Sequence, residues 1–255
     1  MVRLAREIRL SRMYRKSPII EVVCELIFTE TSPWNADTPL AFFEQVKESY
    51  PRFAPEARIN FQIEPTDSGT DTGAAKFQVD PLMLFTHNDG AASVQLSRRL
   101  LAINRFAPYP SWSTLQPMIA QVVDAYRAVG KPDGIDRIGL RYINRIVLPS
   151  ASAGLRTYLT VYPNMDWQLG RTPGETQLRM VFPYGDDTLT LGLIEQGAAA
   201  NPTLILDLDY VSRTANVVSL DTAMDWVGTA HDAIEQMFEA SVTDALRLLM
   251  EEVTP

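Results

Sequence analysis

Three arginines recur at four-residue spacing in Gly134-Ile-Asp-Arg-Ile-Gly-Leu-Arg-Tyr-Ile-Asn-Arg-Ile-Val-Leu-Pro149: Arg137, Arg141 and Arg145. That interval returns a side chain to the same face of a strand and nearly to the same face of a helix. Gly139, the β-branched residues and the stop at Pro149 favour a strand. The guanidinium groups then share one face with Gly139, Ile143 and Val147, while Ile138, Leu140, Tyr142, Asn144, Ile146 and Leu148 share the other. Glu21 and Glu25 repeat the spacing on an earlier strand, Pro18 to Phe28. Two chemistries fit. If the strands are neighbours, Glu21 and Glu25 pair with the arginines across the ladder. Otherwise the face is an anion-binding groove in which Arg141 and Arg145 read a phosphate or carboxylate. Asn144 lies on the oily face, where a buried amide needs hydrogen-bond partners, and reads as a structural cross-link.

The other chemistry-bearing residues are sparser. Asp207 and Asp209 share a face of a third strand; paired carboxylates suit a cation or acid–base work, but no third oxygen ligand stands at a telling interval, so a solvated outer face is expected. His87 sits at the mouth of a hairpin turn, and His231 on the apolar stripe of the last helix, where a hydrogen-bonded, partly buried histidine is expected. Cys24 is the one cysteine among 255 residues, which excludes an internal disulfide and a multi-cysteine metal site. It falls among core-facing residues and reads as an inert thiol. Trp34, Tyr109 with Trp112, and Trp167 stand in loops or at helix starts, as lids on the core or a recognition surface. No G-x-S-x-G, phosphate-cradling glycine loop or H-E-x-x-H occurs. No cofactor is expected.

Composition bounds the elements that position these groups. Hydrophobic residues make up 46%, enough for a packed core. No apolar run approaches the length needed to span a bilayer, and no signal peptide is recognisable, so a cytoplasmic protein away from membranes is expected. The net charge of −8 is uneven: residues 1–16 carry +5, leaving −13 on the remainder. An acidic body argues against nucleic acid as a partner, except through the basic arm from Arg3 to Lys16. That arm reads as a solvated tail, a contact for the protein's own acidic body, or an over-long start with Met13 as initiator.

The predicted elements are strand 18–28, a short helix 38–49 with Thr38 as cap, and strands at 57–64, 76–80, 82–87, 93–97 and 100–106. A helix from about Ser111 to Gly130 and the arginine strand follow. After an ambiguous segment at 152–162 come strands 176–183, 188–196 and 202–214 and a helix from about 221 to 252. A polar loop fills 66–74. The order strand, short segment ending in Tyr-Pro (Tyr50-Pro51, Tyr162-Pro163), meander, long helix occurs twice. The expected class is α+β, with antiparallel curved sheets each covered by a long helix and a possible internal duplication. The expected organisation is an arm at 1–16 and α+β halves at 17–133 and 134–255, packed as one unit.

Tyr14-Arg-Lys-Ser-Pro-Ile-Ile-Glu-Val-Val-Cys-Glu-Leu-Ile-Phe28 and Arg137-Ile-Gly-Leu-Arg-Tyr-Ile-Asn-Arg-Ile146 resemble the signatures of an uncharacterised, sporadically distributed bacterial family of about this length. Phe85 to Asp89, Tyr109-Pro-Ser-Trp112 and Leu206-Asp-Leu-Asp209 are similar to its weaker blocks. The resemblance covers nearly the whole chain from Met13 and implies that Glu21, Glu25, Arg141, Tyr142, Asn144 and Arg145 belong to the family pattern. It carries no catalytic residue over.

The function expected from these residues is a non-enzymatic binding module. An Arg/Glu-lined sheet surface (Arg137, Arg141, Arg145, Glu21 and Glu25, with Tyr142 and Asn144) would meet a partner protein or small anionic ligand. The alternatives are a chaperone-like or antitoxin-like protein gripping a client segment, and an enzyme acting on a small anionic substrate through Arg141, Arg145 and a carboxylate.

Overall fold

Alternating burial along the central strands is what builds this molecule. The computed structural model describes residues 12–63, 75–149, 154–163, 175–196, 201–212 and 218–253. The elements run β1 (Met13–Tyr14), β2 (Ile19–Phe28), α1 (Thr38–Val46), β3 (Arg52–Ile63), β4 (Ala75–Thr86), β5 (Ala92–Leu96), β6 (Leu100–Phe106), α2 (Trp112–Gly130) and β7 (Ile135–Val147). They continue through α3 (Leu155–Tyr158), β8 (Glu175–Tyr184), β9 (Asp187–Gln196), β10 (Thr203–Ser212), α4 (Ala223–Ser241), α5 (Asp244–Leu249) and β11 (Glu252–Val253).

Nine strands form one antiparallel sheet in the order β3-β4-β5-β6-β2-β7-β10-β9-β8. The class is α+β. The two predicted sheets are one, joined through the ladder between β2 and β7. The strand–helix–meander–helix order occurs on both sides of that join. β1 and β11 make a separate two-stranded ladder, Met13 opposite Val253.

One face of the sheet carries the core. Val22, Cys24, Leu26 and Phe28 of β2, Leu140, Tyr142, Asn144 and Ile146 of β7, and Leu204, Leu206, Leu208 and Tyr210 of β10 are all buried. Leu115, Ile119, Val122 and Tyr126 of α2 and Val227, Ala230 and Ile234 of α4 close over them in a single cluster. Each helix buries one stripe at the spacing its period dictates. Phe28 stacks on Tyr126 with ring centres 4.8 Å apart.

Several expectations are corrected. Ile20 does not join the buried face of β2: the register shifts between Ile19 and Glu21, and Ile20 turns outward. Strands 76–80 and 82–87 are one strand, β4; Pro81 lies where β4 has β3 on one side only, because pairing with β5 begins at Met83. In α1 the buried residues are Thr38, Phe42 and Val46, while Leu40 is exposed. α2 starts at Trp112, which puts Pro117, an exposed residue, in its second turn. The last helix is two. Val242 is extended and bridges Leu159, and the Thr243 N–H donates to the Tyr158 carbonyl, so the chain breaks before α5. Segment 152–162 holds the four-residue α3 within its described part. Loop 66–74, Trp167 and residues 1–11 of the arm lie outside the described residues.

The described end of the arm stays exposed yet contacts the body of the protein. Arg12 pairs with Glu252 at 2.7 Å and Lys16 with Glu251 at 2.6 Å. The Tyr14 hydroxyl donates to Glu239 at 2.6 Å. The arm's cations thus meet the acidic body.

Candidate functional site

The arginine face is the helix-free face of the sheet. Arg137 pairs with Glu25 of β2. Arg141 does not pair with Glu21; it grips Asp207 of β10 with both ends of its fork, Nε at 2.8 Å and Nη2 at 2.5 Å. Glu21 instead accepts the Asn104 amide at 2.7 Å. The reason is strand order: β7 has β2 on one side and β10 on the other, so both neighbours supply carboxylates. Asp207 is therefore ion-paired across the ladder, and Asp209, half-buried on the same face, lies in the field of Arg141 and Arg137. Burial pushes the Asp209 carboxyl up, against the opposing pull of Arg141 and Arg137. Arg145 is exposed and makes no side-chain ion pair among the described residues.

On the opposite, helix-covered face lies a cleft of about 450 Å³. Tyr142, Asn144 and Leu208 of the central strands form its floor. The loop leading into α2 supplies Tyr109, the first residue of α2 is Trp112, α4 supplies His231, Glu235 and Phe238, and the arm supplies Met13 and Tyr14. Local sequence explains each placement. Ser111 caps α2 by accepting the Thr114 N–H at 3.3 Å, which fixes Tyr109 and Trp112 on either side of the cap. His231, Ile234, Glu235, Phe238 and Glu239 recur at helical spacing, so one face of α4 presents them together. Tyr142 and Asn144 are two apart on the buried face of β7.

A hydrogen-bonded chain crosses the floor. The Tyr109 and Tyr142 hydroxyls lie 3.4 Å apart, and the Tyr142 hydroxyl lies 3.1 Å from His231 Nδ1. His231 stacks flat on Trp112, ring centres 3.9 Å apart at 10°. Burial lowers the His231 imidazole to about 4, so it is neutral at physiological pH. Burial pushes the Tyr109 phenol up to about 12, helped by the charge of Glu235. Tyr142 is held well above its ordinary range by burial and by Tyr109. The Asn144 amide donates to the Leu206 carbonyl at 3.0 Å, the cross-link expected of it.

Of the residues singled out from sequence, Tyr142 and Asn144 reach the cleft, while Arg137, Arg141, Arg145, Glu21 and Glu25 are on the other side of the sheet. The sequence pairs Tyr109 with Trp112 and sets Tyr14 at the head of a signature stretch, but nothing in it links these to His231, and Glu235 carries no signal. Among the described residues no group of three or more His, Cys, Asp or Glu is arranged to hold a metal ion. No described helix is long and apolar enough to cross a membrane.

Comparison with known proteins gives little beyond this geometry. No family model matches the chain, and no curated protein matches it. Among solved structures it is similar to the di-domain ARO/CYC StfQ from the steffimycin biosynthetic pathway, at 8% identity over 85% of this chain and 94% of that one, with a TM-score of 0.16. It is also similar to the RNA triphosphatase Pct1 of S. pombe in complex with the Spt5 CTD, at 10% identity over 95% and 88%, with a TM-score of 0.14. Likenesses at these TM-scores carry no argument.

Proposed function

We propose that the protein is a binding module for a small organic molecule, seated in the cleft between α2, α4 and the centre of the sheet. The observation that carries this is the cleft's construction: a concave enclosure walled by aromatic, aliphatic and polar side chains, with one convergent hydrogen-bonding chain, Tyr109–Tyr142–His231, on its floor. Binding is favoured over proton-transfer chemistry because a general acid or base works best with a pKa near the working pH. His231 is pulled down to about 4 and Tyr109 pushed up to about 12, each far from neutrality.

This keeps the binding role expected from sequence but moves it across the sheet. Arg137 and Arg141 already hold carboxylates, so an incoming anion meets charges that Glu25 and Asp207 have partly neutralised. The test is a thermal-shift screen of small organic compounds on the full chain, repeated on Trp112→Ala and Tyr109→Ala. The expected result is a class of hits whose shift disappears in both variants while the folded spectrum is kept. Hits that survive both substitutions, or that are lost only on Arg145→Ala, would place the ligand elsewhere.

A further inference from the structure

We propose that the ligand of this cleft carries a neutral hydrogen-bond donor and a neutral acceptor side by side, as a primary amide or a lactam does, on a compact apolar body. This rests on reading the cleft as a ligand site and adds the polarity that its ligand must have.

The charged groups of the lining are engaged already or stand at its edge. Arg12 lies 2.7 Å from Glu252 and 3.6 Å from Glu239. Glu239 also accepts the Tyr14 hydroxyl and Arg247 Nε. Glu235 has a partner of its own, and Asp232 is exposed. What the cleft leaves unused is a set of neutral groups.

Two of these have a fixed polarity. The Leu206 carbonyl can only accept, so Asn144 turns Nδ2 toward it and keeps Oδ1 as an acceptor. The Trp112 indole N–H can only donate. Both residues line the cleft, and neither atom has a hydrogen-bond partner among the described residues. The described side-chain atoms that are sealed off without a partner belong to Tyr50, Asn104, Arg105 and Tyr126, none of them in this lining. Asn144 Oδ1 and the Trp112 N–H are therefore within reach of a ligand.

The other two are the ends of the Tyr109–Tyr142–His231 chain, and their polarities are tied. His231, neutral against Trp112, has one ring proton. If Nδ1 holds it, His231 donates to the Tyr142 hydroxyl and Tyr142 donates to Tyr109. The Tyr109 proton then turns outward, and Nε2 accepts. If Nε2 holds it, Tyr142 donates to Nδ1 and Tyr109 donates to Tyr142, so Tyr109 is left to accept. In each arrangement one end donates and the other accepts. A ligand that only accepts leaves Asn144 and one end of the chain unanswered; a ligand that only donates leaves the indole and the other end unanswered. Unanswered groups in an enclosed site discriminate strongly between ligands of the same shape.

Calorimetric titration of the full chain with benzamide, acetophenone and toluene separates the cases. Benzamide has a donor and an acceptor, acetophenone keeps the shape with the acceptor alone, and toluene has neither. Benzamide is expected to bind at least about tenfold more tightly than acetophenone, with toluene weakest. Its advantage over acetophenone is expected to shrink in Asn144→Leu, and an unchanged advantage overturns the proposal. Should Asn144→Leu fail to fold, Trp112→Phe decides: loss of the N–H is expected to weaken benzamide about tenfold and leave toluene unchanged, and equal weakening of both overturns the proposal. Acetophenone or toluene binding as tightly as benzamide overturns the polarity and leaves the cleft as a ligand site. Should none of the three bind, the comparison passes to the hits of the thermal-shift screen. Hits that carry both groups and weaken when either is removed uphold the proposal, hits that lack one of them overturn it, and the absence of any hit overturns the reading of the cleft as well.

Discussion

His231 stacks on Trp112 and shares a hydrogen bond with Tyr142, and neither contact supplies a counter-charge for an imidazolium. Protonating it inside the fold is therefore costly. Its folded pKa of about 4 lies below the unfolded value near 6.5, so between those values the unfolded chain binds more protons than the native one. Stability is then highest above about pH 6.5 and is lost as pH falls toward 4, by roughly 3 kcal/mol from this residue. Urea unfolding of wild type and His231→Gln across that window is expected to show stability rising more steeply with pH in wild type; equal slopes would mean that the imidazole titrates alike in the folded and unfolded chains. Cys24 is the complementary case. It is fully buried, and burial pushes its thiol up to about 12. Under native conditions it is expected to resist a thiol reagent at pH 8 and to react fully in denaturant. Fast native labelling would show that β2 opens locally. The pairing of Arg141 with Asp207 shows where sequence ceases to inform at this scale. The strand face of each was readable from period-two alternation, but the choice between Glu21 and Asp207 depends on which strands are neighbours and in what register, which alternation does not encode.

At the scale of elements, the strands were the legible part, because half-buried strands advertise themselves by alternation. β7 and β10 bury the residues that the pattern assigns, from Leu140 to Ile146 and from Leu204 to Tyr210. Breaks were less legible, because tertiary partners decide them. The stripe of the last helix runs unbroken through Val242 in sequence, yet Leu159 draws Val242 into a bridge. The end of α2 is similar: Gly130 suggests the stop, but it is the last helical residue, and the left-handed position is Lys131, φ 44°, whose N–H donates to the Arg127 carbonyl. A β-carbon there costs about 1 kcal/mol, so Lys131→Gly is expected to stabilise the protein by about that amount in urea titration. Gly130→Ala is expected to act in the other direction. Its added carbon would lie 2.6 Å from the Tyr126 ring, which is buried and held by Phe28 and Phe42 and so has nowhere to retreat. A loss of about 1–3 kcal/mol follows from overpacking. A gain from Gly130→Ala would mean that the ring moves aside.

The cleft belongs to the whole molecule, and for that reason the sequence hid it. Its hydrogen-bonded chain joins Tyr142 to a histidine 89 residues away, and the Tyr14 wall is held to Glu239 across 225. No local period links such positions; only the sheet order, which sets β2, β7 and β10 side by side, brings the arm, the start of α2 and the face of α4 over one floor. The same order makes the halves interdependent. The β2–β7 ladder runs from Ile19 opposite Asn144 to Phe28 opposite Ile135, the arm preceding β2 pairs with β11, and one core cluster spans both sides of the join. Separating the halves would strip β2 and β7 of a partner along their length and expose two apolar edges at once. The halves are therefore expected to unfold together. Cys24 reports on β2 in the first half, and loss of helical ellipticity reports on α2 and α4 in both. If the sheet is one cooperative unit, thiol labelling and ellipticity give coincident midpoints in guanidinium chloride and a single slope. Two resolved transitions, with Cys24 exposed in only one of them, would show that the join is weaker than its ladder implies, and that the cleft can open along it.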